Sequence, residues 1–243
     1  MKHHAPDTLY AEPQCDISNF VFDTAVADVF TDMINRSVPG YQTLLEVLGT
    51  ITDQYARPNT YLYDLGCSLG AATWVLKQHA APGCKVIAVD NAPAMVEKCR
   101  ENLAKHQNKI STDIICSDAV EIPINNASLV VMNLTLQFIP PSQRLPLLTK
   151  AFSGILPGGA FFIAEKIKIP NAQQQTLFTH LHHAFKKANG YSELEVAQKR
   201  TALENVLIPE TLETHISRLY DAGFSDVYPC FSCLNFAALL AVK

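Results

Sequence analysis

Tyr61–Gly70, YLYDLGCSLG, followed by Ala71–Ala80, AATWVLKQHA, decides how this chain is read. An apolar run carrying Asp64 gives way to a glycine-serine-glycine turn and then to helical periodicity. A strand feeding a tight turn and a helix N-terminus is expected to aim backbone N–H groups at a ligand. Gly66 and Gly70 supply the backbone freedom that such a turn needs. About twenty residues on, Lys85–Val89 (KVIAV) reads as a second strand, and Asp90 at its end is placed to accept hydrogen bonds from both hydroxyls of a ribose. Together these stretches predict a nucleoside-binding site.

The turn chemistry selects among nucleosides. A dinucleotide fingerprint requires G-x-G-x-x-G, but Ser68 stands where the middle glycine would let a pyrophosphate close in. No Gly-Lys-Ser/Thr follows, which excludes a P-loop. Gly66-x-Ser68-x-Gly70 also fits the nucleophile elbow of an α/β-hydrolase, which would need an Asp and a His at later strand ends. His215 instead falls in a helical pattern. Asp64 would repel a diphosphate and attract an ammonium group, which favours S-adenosylmethionine over NAD.

The 243 residues are 48% hydrophobic and 17% charged, a globular composition, with a net charge of −4. The basic clusters are short, Lys186-Lys187 and Lys199-Arg200, so stable binding of a polynucleotide is not expected. Seven cysteines lie mostly in apolar segments behind a polar start, which reads as free thiols in a cytoplasmic protein. No apolar run is long enough for a transmembrane helix, so no membrane partner is expected.

Working outward, residues 1–19 read as an extended tail or cover. Asp23-Thr24 caps a helix through Val26, Val29, Phe30, Met33 and Ile34 that ends near Ser37 ahead of Pro39. A second helix covers about Tyr41–Gln54, with Tyr41 as a lid contact. The pattern predicts 1–56 as an N-terminal extension packed on an α/β domain, 57–243. Strands are expected at Thr60–Asp64, Lys85–Asp90, Ser111–Cys116, Ala127–Met132, Ala160–Ala164, Asp226–Cys230 and Phe236–Val242, with Leu156–Gly159 as a turn. Strand-helix alternation closing in a strand pair gives a mostly parallel seven-stranded sheet with an antiparallel edge strand. Right-handed crossovers bring Gly66, Asp90, Asp118 and Asn133 to one edge. Asp118 is expected to accept the adenine amino group, with the Ala119 N–H at a ring nitrogen.

A helical insertion, 166–209, follows the fifth strand, as helices at Asn171–Asn189 and Glu193–Leu207. Arg200 within it is the candidate carboxylate receptor, since a guanidinium takes a carboxylate through two parallel bonds. His180, His182 and His183 lack a completing ligand, so no metal is expected. Cys230-x-x-Cys233 reads as packed thiols, and Trp74 as core.

The order DLGCSLGAAT, AVDNAPAM, an apolar strand ending in NLTLQF, LPGG, and HHAFKKANGYSELE…QKR resembles the bacterial carboxy-S-adenosylmethionine synthase (CmoA) family across essentially the whole chain. The resemblance implies a class I AdoMet-methyltransferase-like (Rossmann-like) α/β fold without methyl transfer. Its implied reaction combines S-adenosylmethionine with prephenate to give carboxy-S-adenosylmethionine and phenylpyruvate. The product supplies the enzyme that forms 5-carboxymethoxyuridine at the tRNA wobble position. It implies S-adenosylmethionine contacts at Tyr41, Gly66, Cys67, Ser68, Asp90, Asn91, Asp118, Ala119 and Asn133, Arg200 at the new carboxylate, and a homodimer.

Overall fold

The computed structural model describes residues 5–243; residues 1–4, the start of the expected tail, lie outside the described residues. The elements run α1 (Thr24–Ser37), α2 (Tyr41–Tyr55), β1 (Tyr61–Leu65), α3 (Ala71–His79), β2 (Lys85–Asp90), α4 (Pro93–Ala104), β3 (Ser111–Cys116), β4 (Ala127–Asn133), α5 (Pro141–Gly154), β5 (Ile155–Lys166), α6 (Ala172–Ala188), α7 (Glu193–Leu203), α8 (Leu212–Ala222), β6 (Asp226–Cys233) and β7 (Phe236–Val242). The sheet order is β3-β2-β1-β4-β5-β7-β6. Strands β1 to β5 pair in parallel, and β7 lies antiparallel between β5 and the outermost strand, β6.

Alternation along the strands sorts the core onto two faces. Tyr63, Leu65, Val130, Met132, Phe161 and Ile163 pack with α5 and α8, whereas Leu62, Leu129, Val131, Ala160 and Phe162 pack with α2 and α3. Six consecutive residues of β4, Ala127–Met132, are buried, the signature of a strand covered on both sides. Asp23 caps α1, its Oδ1 accepting from Val26 N at 2.9 Å.

Three expectations need correction. Leu156–Gly159 is not a turn ahead of the fifth strand. It is an irregular stretch inside β5, whose residue Ile155 already pairs with Ala127 before the register shifts. Arg57 donates to the carbonyls of Pro157 and Gly158 there and supports the bulge. The second helix of the insertion stops at Leu203 rather than Leu207, and Glu210 then forms a bridge to Ile167. Trp74 is half-buried and stacks on His106, with 4.4 Å between ring centroids.

The N-terminal segment is strapped to α7. Gln198 accepts from Gln14 N at 2.7 Å and donates to the carbonyls of Tyr10 and Glu12, and Phe20 N donates to Ala202 O. The strap, α1 and α7 thereby form one wall over the C-terminal ends of the strands.

Candidate functional site

Those strand ends open into a cavity of about 370 Å³. Tyr41, Gly66, Cys67, Ser68, Asp90, Asn91, Asp118, Ala119 and Asn133 all line it. Arg200 does not. It sits on the exposed side of α7, although its charge is near enough to depress Lys166 and His183.

The first turn works differently from the expectation. Its N–H groups are used within the protein: Gly66 N and Cys67 N both donate to Val89 O, at 2.7 and 2.9 Å, and Ser68 N donates to Asp90 Oδ2 at 2.9 Å. The end of β2 curls beneath the turn and consumes the donors that a phosphate would need. Asp90 Oδ1 accepts from Ala92 N at 2.9 Å, so one carboxylate fixes the turn and the start of α4 together. Burial raises the Asp90 pKa against the pull of these two N–H bonds. Gly66 is required here, because a Cβ would lie 2.2 Å from Thr135 Oγ1 at a φ of +84°. The Cys67 thiol turns inward against Cys99, and that contact together with burial holds its pKa well above the ordinary range.

Asp118 follows β3 and accepts from Val120 N at 3.0 Å. Asn133 ends β4 with a buried Oδ1 that has no protein partner, and Asp64 Oδ1 on neighbouring β1 is in the same state. Asn133 lines the cavity and Asp64 does not, so the free Asn133 acceptor fits a donor brought by a ligand. Burial pushes the Asp64 carboxyl up to about 6, against the hydrogen bond from Thr73, and it raises Tyr41 with help from the Asp64 charge.

Beyond Asn133 the chain enters the left-handed region at Leu134 (φ 61°), and Leu136–Phe138 forms one short 3₁₀ turn. Glu165 holds that loop, accepting from Thr135 N at 3.2 Å, Leu136 N at 2.8 Å and Gln137 N at 3.1 Å. Burial pushes its carboxyl up to about 8, opposed by those N–H bonds and by Arg144. Arg144 is fully buried, pairs with Glu210, and donates to the carbonyls of Ile139, Gln137 and Ile208.

Several cavity residues escaped the sequence reading. Phe20 and Phe22 of the strap meet each other at 5.1 Å, and Phe22 meets Phe138 at 5.2 Å, both edge to face. Lys166, Lys186, Lys199 and His182 line the end near β5. The only signal for Lys186, Lys199 and His182 was the run of basic residues in HHAFKK and QKR, and Lys166 at the end of β5 had none. Consecutive helical residues diverge by about 100°, so α7 aims Gln198 at the strap, Lys199 at the cavity and Arg200 at solvent.

His182 bonds Ser37 O at 2.8 Å, and burial lowers it to about 3, so it is a neutral donor. Among the described residues no group of three or more His, Cys, Asp and Glu could hold a metal ion. The cysteines are free, Cys230 falling at a bulge in β6. No helix among the described residues is long and apolar enough to cross a membrane.

A nucleoside-sized cavity over the C-terminal ends of a β3-β2-β1-β4-β5-β7-β6 sheet, with an acid after β2 and another after β3, defines a class I S-adenosylmethionine-binding protein. Residues 62–159 match the family described as "Methyltransferase domain". Solved structures share the fold, among them magnesium protoporphyrin IX methyltransferase from Synechocystis (TM-score 0.60, 14% identity, 87% of each chain) and an O-methyltransferase family protein from Burkholderia thailandensis (TM-score 0.62, 17% identity, 91% of this chain and 60% of that one).

Full-length relatives are much closer. Carboxy-S-adenosyl-L-methionine synthase from Stutzerimonas stutzeri is 52% identical over 98% of this chain and 99% of that protein, and the one from Trichlorobacter lovleyi is 53% identical over 98% of both. The chain belongs to the carboxy-S-adenosyl-L-methionine synthase family.

Proposed function

We propose that this chain converts S-adenosyl-L-methionine and prephenate to carboxy-S-adenosyl-L-methionine and phenylpyruvate, for the cmo5U modification of wobble uridine in tRNA. The observation that carries this reading is identity above 50% along the whole length of named synthases. The cavity agrees with it in chemistry. Asp90 and Asn91 would take the ribose hydroxyls, and Asp118 with Ala119 the adenine edge. The Gly66–Ser68 turn, Tyr41 and Asn133 would surround the methionine end, with Asn133 supplying an acceptor for its ammonium and the Asp64 charge favouring it from outside the lining.

The sulfonium of the substrate acidifies its methyl group, and the protein's part is to position that group and keep water away. As prephenate aromatises it loses carbon dioxide and hydroxide; the hydroxide takes the methyl proton to become water, and the methyl carbon forms its new bond to carbon dioxide. No base on the protein is needed for this balance. The aromatic wall of Phe20, Phe22 and Phe138, together with the loop that Glu165 holds, would help retain carbon dioxide in the cavity. Arg200 would bind the new carboxylate through paired hydrogen bonds. Because Arg200 points away from its own cavity in this chain, it would reach its own site by moving or serve that of a second copy in a homodimer. We infer a cytoplasmic enzyme whose product passes to the tRNA-modifying partner without stable tRNA binding here, consistent with the net charge of −4.

The match to a methyltransferase domain favours one alternative, methyl transfer to a tRNA uridine or a small acid. Incubating the protein with S-adenosylmethionine and prephenate separates the two. Phenylpyruvate formed only when both substrates are present supports the synthase; S-adenosylhomocysteine without phenylpyruvate supports the methyltransferase.

A further inference from the structure

Charge in the cavity is divided by position along the sheet. Asp90 ends β2 and Asp118 follows β3 at one end, whereas Lys166, Lys186 and Lys199 line the end near β5. Lys186 and Lys199 are buried, at 8% and 5% exposure, and Lys166 is half-buried. The Nζ of Lys199 pairs with buried Asp7 at 3.2 Å, and Tyr191 also donates to that carboxylate. The Lys166 and Lys186 amines have no protein acceptor among the described hydrogen bonds and ion pairs, and the one carboxylate whose charge acts on Lys186, Asp7, is already paired with Lys199.

Such an arrangement is costly without an anion. Burial, then the charges of Lys199 and Lys166, pull Lys186 down to about 7, and burial also lowers Lys166 and Lys199. The nearest buried carboxylate on the same strand, Glu165, is committed to three backbone N–H groups. Arg36 and Asp32 cancel each other at 2.9 Å, with the Arg36 guanidinium over Tyr191. Two amines without a bonded acceptor, at the far end from the nucleoside acids, match a dicarboxylate that lies beyond the methionine end and holds both protonated.

We propose that Lys166 and Lys186, backed by the Asp7-anchored Lys199, form the receptor for the two carboxylates of the second substrate. This rests on the reading of the cavity as the site of S-adenosylmethionine and prephenate. It gives the second substrate a binding site built from β5, α6 and α7, separate from the residues that hold the nucleoside. It also gives the helical insertion a chemical role distinct from that of Arg200.

The test is calorimetric titration of prephenate into protein loaded with S-adenosylhomocysteine, which has no methyl group to react. Lys166→Met and Lys186→Met each keep the side-chain volume and remove the charge. Each is expected to weaken prephenate binding by about tenfold or more, while the affinity for S-adenosylhomocysteine stays within about twofold of wild type. Lys187→Met removes an exposed lysine one position along α6, paired with Glu193, and should change neither affinity. Retained S-adenosylhomocysteine binding reports that a variant is folded, and Lys186→Gln replaces one that is not.

Unchanged prephenate affinity in the folded variants, or equal weakening by Lys187→Met, would overturn the receptor. Prephenate binding that depends on the two lysines, without phenylpyruvate from wild type and S-adenosylmethionine, would leave the receptor standing and remove the proposed reaction. Turnover in wild type with unaltered affinity in the variants would do the reverse.

Discussion

At the β1–β3 end of the cavity the acids and the turn residues belong to strand termini or to the turns after them, and neighbouring ladders fix their positions, with Tyr41 of α2 as the helical contribution. At the β5 end the polar groups come from one strand terminus, two helices of the insertion and the N-terminal strap. Asp90 reaches a partner 22 residues away, whereas Asp7 reaches Lys199 across 192 residues. Parallel pairing determines the geometry of the first end, whereas that of the second depends on helices packed over the sheet. Under the two proposals above, recognition of the nucleoside and recognition of the second substrate fall to separate structural layers.

The largest effect that would sharpen this contrast is expected from Asp7→Ala. Leaving Lys199 buried and unpaired should cost about 3–5 kcal/mol of folding stability, read as a lower urea midpoint. In protein that remains folded, S-adenosylhomocysteine affinity should change little while prephenate affinity falls; equal losses at both ligands would break the division.

Asp90→Ala reverses the pattern. It removes an acceptor for two backbone N–H groups and for the proposed ribose hydroxyls, and should weaken S-adenosylhomocysteine by about a hundredfold. Calorimetry showing less than about a threefold change would dissociate Asp90 from the nucleoside.

Arg200→Ala is expected to spare S-adenosylmethionine binding and to lower the rate of carboxylated product by about tenfold to a hundredfold. Unchanged turnover would leave the exposed guanidinium without a function in the reaction.

The smallest effect concerns pH. His215 on α8 is buried with neither ring nitrogen bonded, and burial lowers it to about 4 from 6.5. A depressed folded pKa means that its contribution is present above about 6.5 and is lost as pH falls toward about 4, because the unfolded chain takes up the proton first. His182, at the basic end, adds a loss of the same sign. Asp64 and Glu165, raised by burial, act in the opposite direction. His215→Phe should therefore shrink the stability difference between about pH 7 and about pH 5 by on the order of 1 kcal/mol. A thermal-unfolding pH series identical to wild type would contradict the assignment.

The same division governs how much was legible from the sequence. Periodicity and the glycine-rich turn locate β1, α3, β2 and the acids after β2 and β3, since each depends on neighbours within a few residues. The use of the turn's N–H groups was not legible, because Val89 O and Asp90 reach it only once β2 pairs with β1. Lys186-Lys187 and Lys199-Arg200 looked alike as basic pairs. Tertiary packing buries the first member of each and exposes the second. The residues LPGG look like a turn and instead form the bulge of β5, because Ala127 already pairs with Ile155. The strap carried no period, and its contribution of Asp7, Phe20 and Phe22 follows from contacts across the whole length of the chain.

The most direct measurement of the central claim follows the ring carboxyl carbon of prephenate. Protein is incubated with S-adenosylmethionine and prephenate isotopically labelled at that carbon, and the nucleoside products are analysed by mass spectrometry. The account predicts a product heavier than S-adenosylmethionine by one carboxyl-for-hydrogen replacement, with the label in the new carboxyl group and unlabelled phenylpyruvate beside it. S-adenosylhomocysteine as the nucleoside product, with the label still in prephenate, would contradict it.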